Sequence, residues 1–176
     1  MVSAMTDARG LLKRLIEIAI AAAFLGGAAY ALAMRAGDER IESLSQSVAD
    51  DLALLRREAL SRGARVGACA SADGQACHED QRDWSKGWIV FLDADADGVR
   101  DTAASADEWV LHARGALPKG LSLERTGAAM PAYLANGRPA GAAGELFRLC
   151  GGRRDGGRAI PLAPMGRSKP APTACA

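Results

Sequence analysis

Ile16-Glu17-Ile18-Ala19-Ile20-Ala21-Ala22-Ala23-Phe24-Leu25-Gly26-Gly27-Ala28-Ala29-Tyr30-Ala31-Leu32-Ala33-Met34 carries no charge from Ile18 onward. An apolar run of roughly 18 residues is long enough to cross the hydrocarbon core of a bilayer as one helix. Arg9, Lys13 and Arg14 outnumber Asp7 before the run, whereas Arg35, Asp38, Glu39 and Arg40 cancel after it. Basic residues favour the cytoplasmic side, so the expected arrangement is a single pass through the inner membrane, with a cytoplasmic N-terminus and a periplasmic C-terminal part. Lys13-Arg14, the apolar run and Ala31-Leu32-Ala33 also fit a cleaved signal peptide. On that alternative the mature chain is a secreted or periplasmic calcium- or DNA-binding module. The run is longer than the usual signal core and continues into a helical pattern, which favours a retained anchor.

That pattern places Ile41, Leu44, Val48, Leu52, Leu55 and Ala59 at steps of three and four, one face of an amphipathic helix. Glu39, Arg40, Glu42, Asp50, Arg56 and Arg57 mark its polar face. No proline interrupts the segment, and Gly63 is a helix stop signal. The expected organisation is residues 1–15 as a leader-like segment, 16–34 as a membrane helix, 35–62 as its amphipathic continuation, and 63–176 as a β-rich globular domain. The chain outside the membrane segment is long enough for one core rather than two. With 22 Lys and Arg against 21 Asp and Glu, the chain as a whole offers no electrostatic case for nucleic acid. Its tail does: Arg148, Arg153, Arg154, Arg158, Arg167 and Lys169 face only Asp155 between residues 148 and 169.

Beyond Gly63, short apolar runs alternate with turn signals. Arg65–Ala70, Gly87–Leu92, Glu108–Ala113, Leu121–Arg125, Gly144–Cys150 and Arg158–Leu162 read as strands of a small antiparallel sheet. Trp88, Val90 and Leu92 fall on one face of their strand, with Ile89 and Phe91 on the other. Ala163–Ala176, with Pro164, Pro170 and Pro172, reads as an irregular tail unless Cys175 ties it down. The fold class is α+β. Cys69, Cys77, Cys150 and Cys175 all follow the membrane segment, and an even count outside the cytoplasm favours two disulfides. Four cysteines allow three connectivities. The short Cys69–Cys77 spacing suits a local loop, which leaves Cys150 for Cys175. No C-x-x-C occurs, and His78 and His112 stand apart from any second metal ligand at usable spacing.

Taken in order, these stretches resemble the GspH/FimT family. The resemblance rests on the long N-terminal helix, Arg57-Glu58-Ala59-Leu60-Ser61-Arg62-Gly63 before a strand ending at Cys69, and Ser71-x-Asp73-Gly74 before Cys77. It continues in Trp84-x-x-Gly87-Trp88-Ile89-Val90-Phe91, the most specific piece, then in Gly144-Glu145-Leu146-Phe147-Arg148-Leu149-Cys150 and Gly166-Arg167-Ser168-Lys169. It implies a pilin-like fold, a long helix whose C-terminal half packs on an antiparallel sheet, and assembly rather than catalysis. The implied partners are other major and minor pilins or pseudopilins, an inner-membrane assembly platform and prepilin peptidase. The implied machine is a type IV pilus, or a type II secretion system as the alternative.

In such assemblies an early glutamate pairs with a neighbouring subunit's N-terminal amine, because a carboxylate entering hydrocarbon needs a cationic partner. Glu17 is the residue that fits this role. Pilin precursors are cut after a glycine that leaves glutamate fifth in the mature chain. Here a cut between Gly10 and Leu11 leaves Glu17 seventh, a departure from the family pattern.

Two further stretches have sharp and bland readings. Asp93-x-Asp95-x-Asp97-Gly98-x-x-Asp101 matches the first half of a calcium loop, although Ala104 stands where the bidentate acid belongs. Asp107 or Glu108 could supply a distal ligand; the bland reading is an acidic hairpin turn. Calcium is the one cofactor this pattern suggests. In the tail, Gly166-Arg167-Ser168-Lys169 is similar to the Gly-Arg-x-Arg motif by which some family members bind DNA, with lysine as a point charge in place of the second guanidinium fork. Arg153, Arg154, Arg158, Arg167 and Lys169 are the DNA-binding candidates against a solvated basic loop. Trp88 is expected in the core. Ser61, Ser71, Ser85, His78 and His112 form no nucleophile–base motif, so no enzyme is expected.

Overall fold

A computed structural model of the chain describes residues 2–102, 107–127, 130–141, 146–151 and 156–175. Helix α1, Val2–Arg62, precedes eight strands: β1 Val66–Ala70, β2 Trp88–Leu92, β3 Val110–Arg114, β4 Ser122–Arg125, β5 Ala132–Tyr133, β6 Leu146–Cys150, β7 Gly157–Pro161 and β8 Ala171–Thr173. The residues form two compact units, Met1–Arg40 and Ile41–Ala176. In the first, Lys13–Leu32 is long and apolar enough to cross a membrane, with a mean hydropathy of 1.9. Its large side chains, Phe24 and Leu25 among them, lie exposed within the chain itself. Helix α1 stops at Arg62 because Gly63 turns left-handed, φ 61°, and the Ala64 N–H then donates to the Ala59 carbonyl at 3.3 Å. This geometry satisfies a carbonyl that the last turn would leave bare.

The second unit has two four-stranded antiparallel sheets among the described residues, in the orders β3-β2-β1-β5 and β4-β6-β7-β8. The apolar stripe of the helix is common to both. Ile41, Val48, Leu52, Leu55 and Ala59 are buried in one cluster with Val66, Ala68, Trp88 and Val90 of the first sheet and Leu123, Phe147, Leu149 and Ile160 of the second. Each such aliphatic or aromatic side chain contributes about 1.5–3 kcal/mol through burial, so the stripe holds the helix to the sheets. The alternate residues of β2, Ile89 and Phe91, are buried with Cys69 in a second cluster that includes Val110 and Met130. A strand covered on both faces explains the unbroken apolar run Trp88–Leu92.

Two features differ from the sequence reading. The single sheet is two sheets, because the β3-β2-β1-β5 and β4-β6-β7-β8 sets have no shared strand pairing. The pair Ala132–Tyr133 is too short to show periodicity, yet it pairs with Val66 and Gly67 as β5. Cys175 does tie the tail down: Ala171–Thr173 pairs with Gly157–Ala159 as β8, with the Cys150–Cys175 disulfide just beyond it. Of the strand expected at Gly144–Cys150, Gly144 and Glu145 lie outside the described residues.

Candidate functional site

The Trp84–Phe91 stretch holds the sheets together. The Trp84 N–H donates to the Leu123 carbonyl of β4 at 2.8 Å, and its indole N–H donates to Gln81 O at 3.1 Å. Its ring meets Phe147 of β6 edge-on at 4.7 Å and lies 6.0 Å from Trp88. Gly87 between the two tryptophans has φ 117°, and a Cβ there would stand 2.4 Å from Arg114 O and 2.8 Å from Ser71 O. Both are backbone atoms that cannot swing aside, so the position accepts glycine alone. Trp84 and Trp88 are core residues, whereas Trp109 is half exposed.

A polar clamp joins the helix to the first sheet at Asp51, a residue that sequence reading passed over. Asp51 is buried and accepts from the Trp88 indole N–H at 3.1 Å and from Arg114 Nε and Nη2 at 3.1 and 3.2 Å. His112 Nε2 lies 3.6 Å from the same carboxylate. Asp51 sits three residues after Val48 and one before Leu52, inside the apolar stripe, and that misplaced charge was the available signal.

The acidic loop brings Asp93, Asp95 and Glu108 together, with one oxygen of each within 4.8 Å of the others. Asp97 and Asp101 are not in that group, while Glu108 joins it. Asp93 is buried and its Oδ2 lies 2.8 Å from Arg65 Nε. Burial pushes the Asp93 carboxyl above its ordinary range, and Arg65 partly offsets the shift. Arg65 Nη1 also donates to Ala96 O at 2.6 Å, and Ala96 is held left-handed with φ 68°. Both Glu108 oxygens are engaged, accepting the N–H groups of Ala94 at 2.8 Å and Asp101 at 2.7 Å. Calcium takes six to eight oxygens. Among the described residues the group offers three carboxylates, one ion-paired to an arginine and one capped by two amides.

Cys69 joins Cys77 and Cys150 joins Cys175. The second disulfide ties the chain after β8 to the end of β6. Within the tail, Arg167 and Lys169 are exposed on either side of buried Ser168. Arg158 is engaged elsewhere: its Nε lies 2.7 Å from Glu42 Oε2 on the helix. Arg153 and Arg154 lie outside the described residues. Glu17 is exposed on α1 in the N-terminal unit, and Gly10 and Leu11 belong to the same helix. An open polar groove of about 640 Å³ is lined by Asp80, Arg82, Asp83, Ser85, Ser122, Glu124, Arg125 and Thr126, none of them a predicted site residue. Within it, Ser85 Oγ accepts the Leu123 N–H at 3.0 Å, a bond that serves the fold.

A long helix with an apolar first part, packed through its second part on antiparallel sheets, defines the pilin-like class of α+β proteins. The profile of the family described as "Type II transport protein GspH" matches residues 44–166, and the chain belongs to that family. No curated protein gives a significant match. Among solved structures, the type IV minor pilin FimU of Pseudomonas aeruginosa is 22% identical, in two crystal forms. The P65 form has a TM-score of 0.54 and covers 76% of this chain and 96% of FimU. The P21 form has a TM-score of 0.56 and covers 78% and 93%. The minor pseudopilin EpsH of the Vibrio cholerae type 2 secretion system is 13% identical, with a TM-score of 0.44 over 76% of this chain and 96% of EpsH. The chain is therefore a minor pilin or pseudopilin of the type IV pilus and type II secretion family, whose members are structural subunits that assemble with other pilins or pseudopilins.

Proposed function

We propose that the chain is a membrane-anchored minor pilin that joins or primes a type IV pilus. The observation that carries this reading is the make-up of α1: one helix contains both the apolar span Lys13–Leu32 and the stripe Ile41–Ala59 buried by the sheets. The span anchors the subunit in the inner membrane with the globular unit outside, and Glu17 at its edge makes the assembly contact with a neighbour's amine. Its other partners are the remaining pilins and the assembly platform. Prepilin peptidase acts, on this reading, between Gly10 and Leu11. The type II secretion pseudopilin is the second reading, favoured by the family description itself.

A chromosomal deletion assayed for twitching, transformation and protein secretion tests the proposal. Loss of twitching or surface pili, not restored by Glu17→Ala, is expected. Loss of secretion with normal pili overturns the pilus reading. N-terminal sequencing of the membrane fraction tests the anchor, since a mature start at Met34 would sink it.

DNA capture is a further role favoured by the exposed pair Arg167 and Lys169 on a tail held by Cys150–Cys175. Two phosphate contacts predict a log–log salt slope of about −2 for duplex DNA. A salt-independent signal, or equal affinity in Arg167→Ala, removes this role.

A further inference from the structure

The stretch Asp93–Asp101 has the oxygen spacing of a cation loop, and two of its carboxylates, Asp93 and Asp95, converge in space with Glu108. The cation, however, comes from the chain. Arg65, immediately before β1, reaches the loop through two contacts: an ion pair of Nε with Asp93 Oδ2 at 2.8 Å and a hydrogen bond from Nη1 to Ala96 O at 2.6 Å. These are a side-chain carboxylate and a backbone carbonyl, the same two oxygen types that a hard metal would collect. The pairing is also built into the backbone, since the Asp93 N–H donates to Arg65 O at 3.1 Å. Arg65 is thereby aligned beside the loop by the extension of β1 against the end of β2. From the other end of the loop, Arg100 Nη1 donates to Gln75 O at 2.7 Å, inside the Cys69–Cys77 disulfide loop.

We infer that Arg65 is the resident counter-ion of the Asp93–Asp101 loop, so that the loop keeps its shape without a divalent metal. The Asp93 side chain is wholly buried, and Arg65 keeps only 22% of its own side chain exposed. A buried carboxylate deprived of its partner is strongly destabilising. A guanidinium serves better than an ammonium here because its planar fork reaches two acceptors at once. For a subunit displayed outside the cytoplasm, the consequence is a fold indifferent to the calcium level around it.

The experiment is thermal unfolding of the full chain in detergent micelles, with EDTA or with millimolar calcium chloride, for the wild type and for Arg65→Met, Arg65→Lys and Arg65→Met/Asp93→Asn. The wild-type Tm is expected to be the same with EDTA and with calcium. Arg65→Met is expected to lower it by about 8 °C or more, and Arg65→Lys by less. The double variant is expected to recover much of the loss, because the uncompensated charge is gone. A wild-type Tm raised by calcium by more than about 2 °C assigns the counter-ion role to metal and overturns the inference. So does an Arg65→Met chain as stable as the wild type. Should Arg65→Met not fold, the calcium comparison on the wild type and the ranking of Arg65→Lys against the double variant still decide it.

Discussion

Replacing Asp51 by alanine removes the acceptor through which the helix grips the first sheet. The Trp88 indole N–H, 3.1 Å from Asp51 Oδ2 and buried, would lose its partner in a place water does not reach. A stranded buried donor costs about 1–3 kcal/mol. The bonds to Arg114 add little, about 1 kcal/mol at most, because that guanidinium is 39% exposed and turns to solvent. Alanine returns about 0.5 kcal/mol through its better helix propensity. The expected loss is about 2–3 kcal/mol, whereas Asp51→Asn, which keeps an acceptor for the indole, is expected to lose about 1 kcal/mol. Urea unfolding of the full chain in micelles, followed by tryptophan fluorescence, measures both. The cycle with Trp88→Phe then isolates the pair: with the donor gone, Asp51→Ala is expected to cost about 1–2 kcal/mol less than in the wild type. An Asp51→Ala chain within about 0.5 kcal/mol of the wild type, or strictly additive variants, would refute the reasoning.

Tyr133 donates its hydroxyl to Ala163 O, and burial pushes its ionisation up to about 12, with Arg56 pulling weakly the other way. The unfolded chain therefore loses the proton first. Stability from this group is full below about pH 10 and falls by about 2–3 kcal/mol as the pH rises to about 12. Denaturation midpoints across that range should converge for wild type and Tyr133→Phe; a constant gap between them contradicts the assignment. Gly87→Ala would press a methyl against Arg114 O and Ser71 O, and a loss of at least about 3 kcal/mol, or failure to accumulate, is expected on immunoblot and circular dichroism. Cys150→Ser/Cys175→Ser opens a link across 25 residues and is expected to cost about 3 kcal/mol in urea while freeing the tail to proteolysis. The same change at Cys69 and Cys77, separated by 8, is expected to cost about 1 kcal/mol less.

The amino-acid sequence alone determined what rests on periodicity and local chemistry. A helical stripe at Ile41–Ala59 and a stop at Gly63 need only nearest turns to be recognised, and the structure follows both. The order of most strands was legible for the same reason. The Trp84–Phe91 stretch signalled the family before its geometry was known, and Gly87 shows why its spacing is strict. What only the tertiary structure decided depends on partners distant in the chain. Ala132–Tyr133 and Ala171–Thr173 are strands solely because β1 and β7 offer them a ladder. The acidic loop had two readings because sequence spacing shows its carboxylates and hides Arg65, 28 positions before Asp93, which the fold brings against the Asp93 carboxylate. Arg158 looked free until Glu42, 116 positions away, was found against it. Charge along a sequence reveals which groups exist, but their energies are set by what the fold brings within a few ångströms and removes from water.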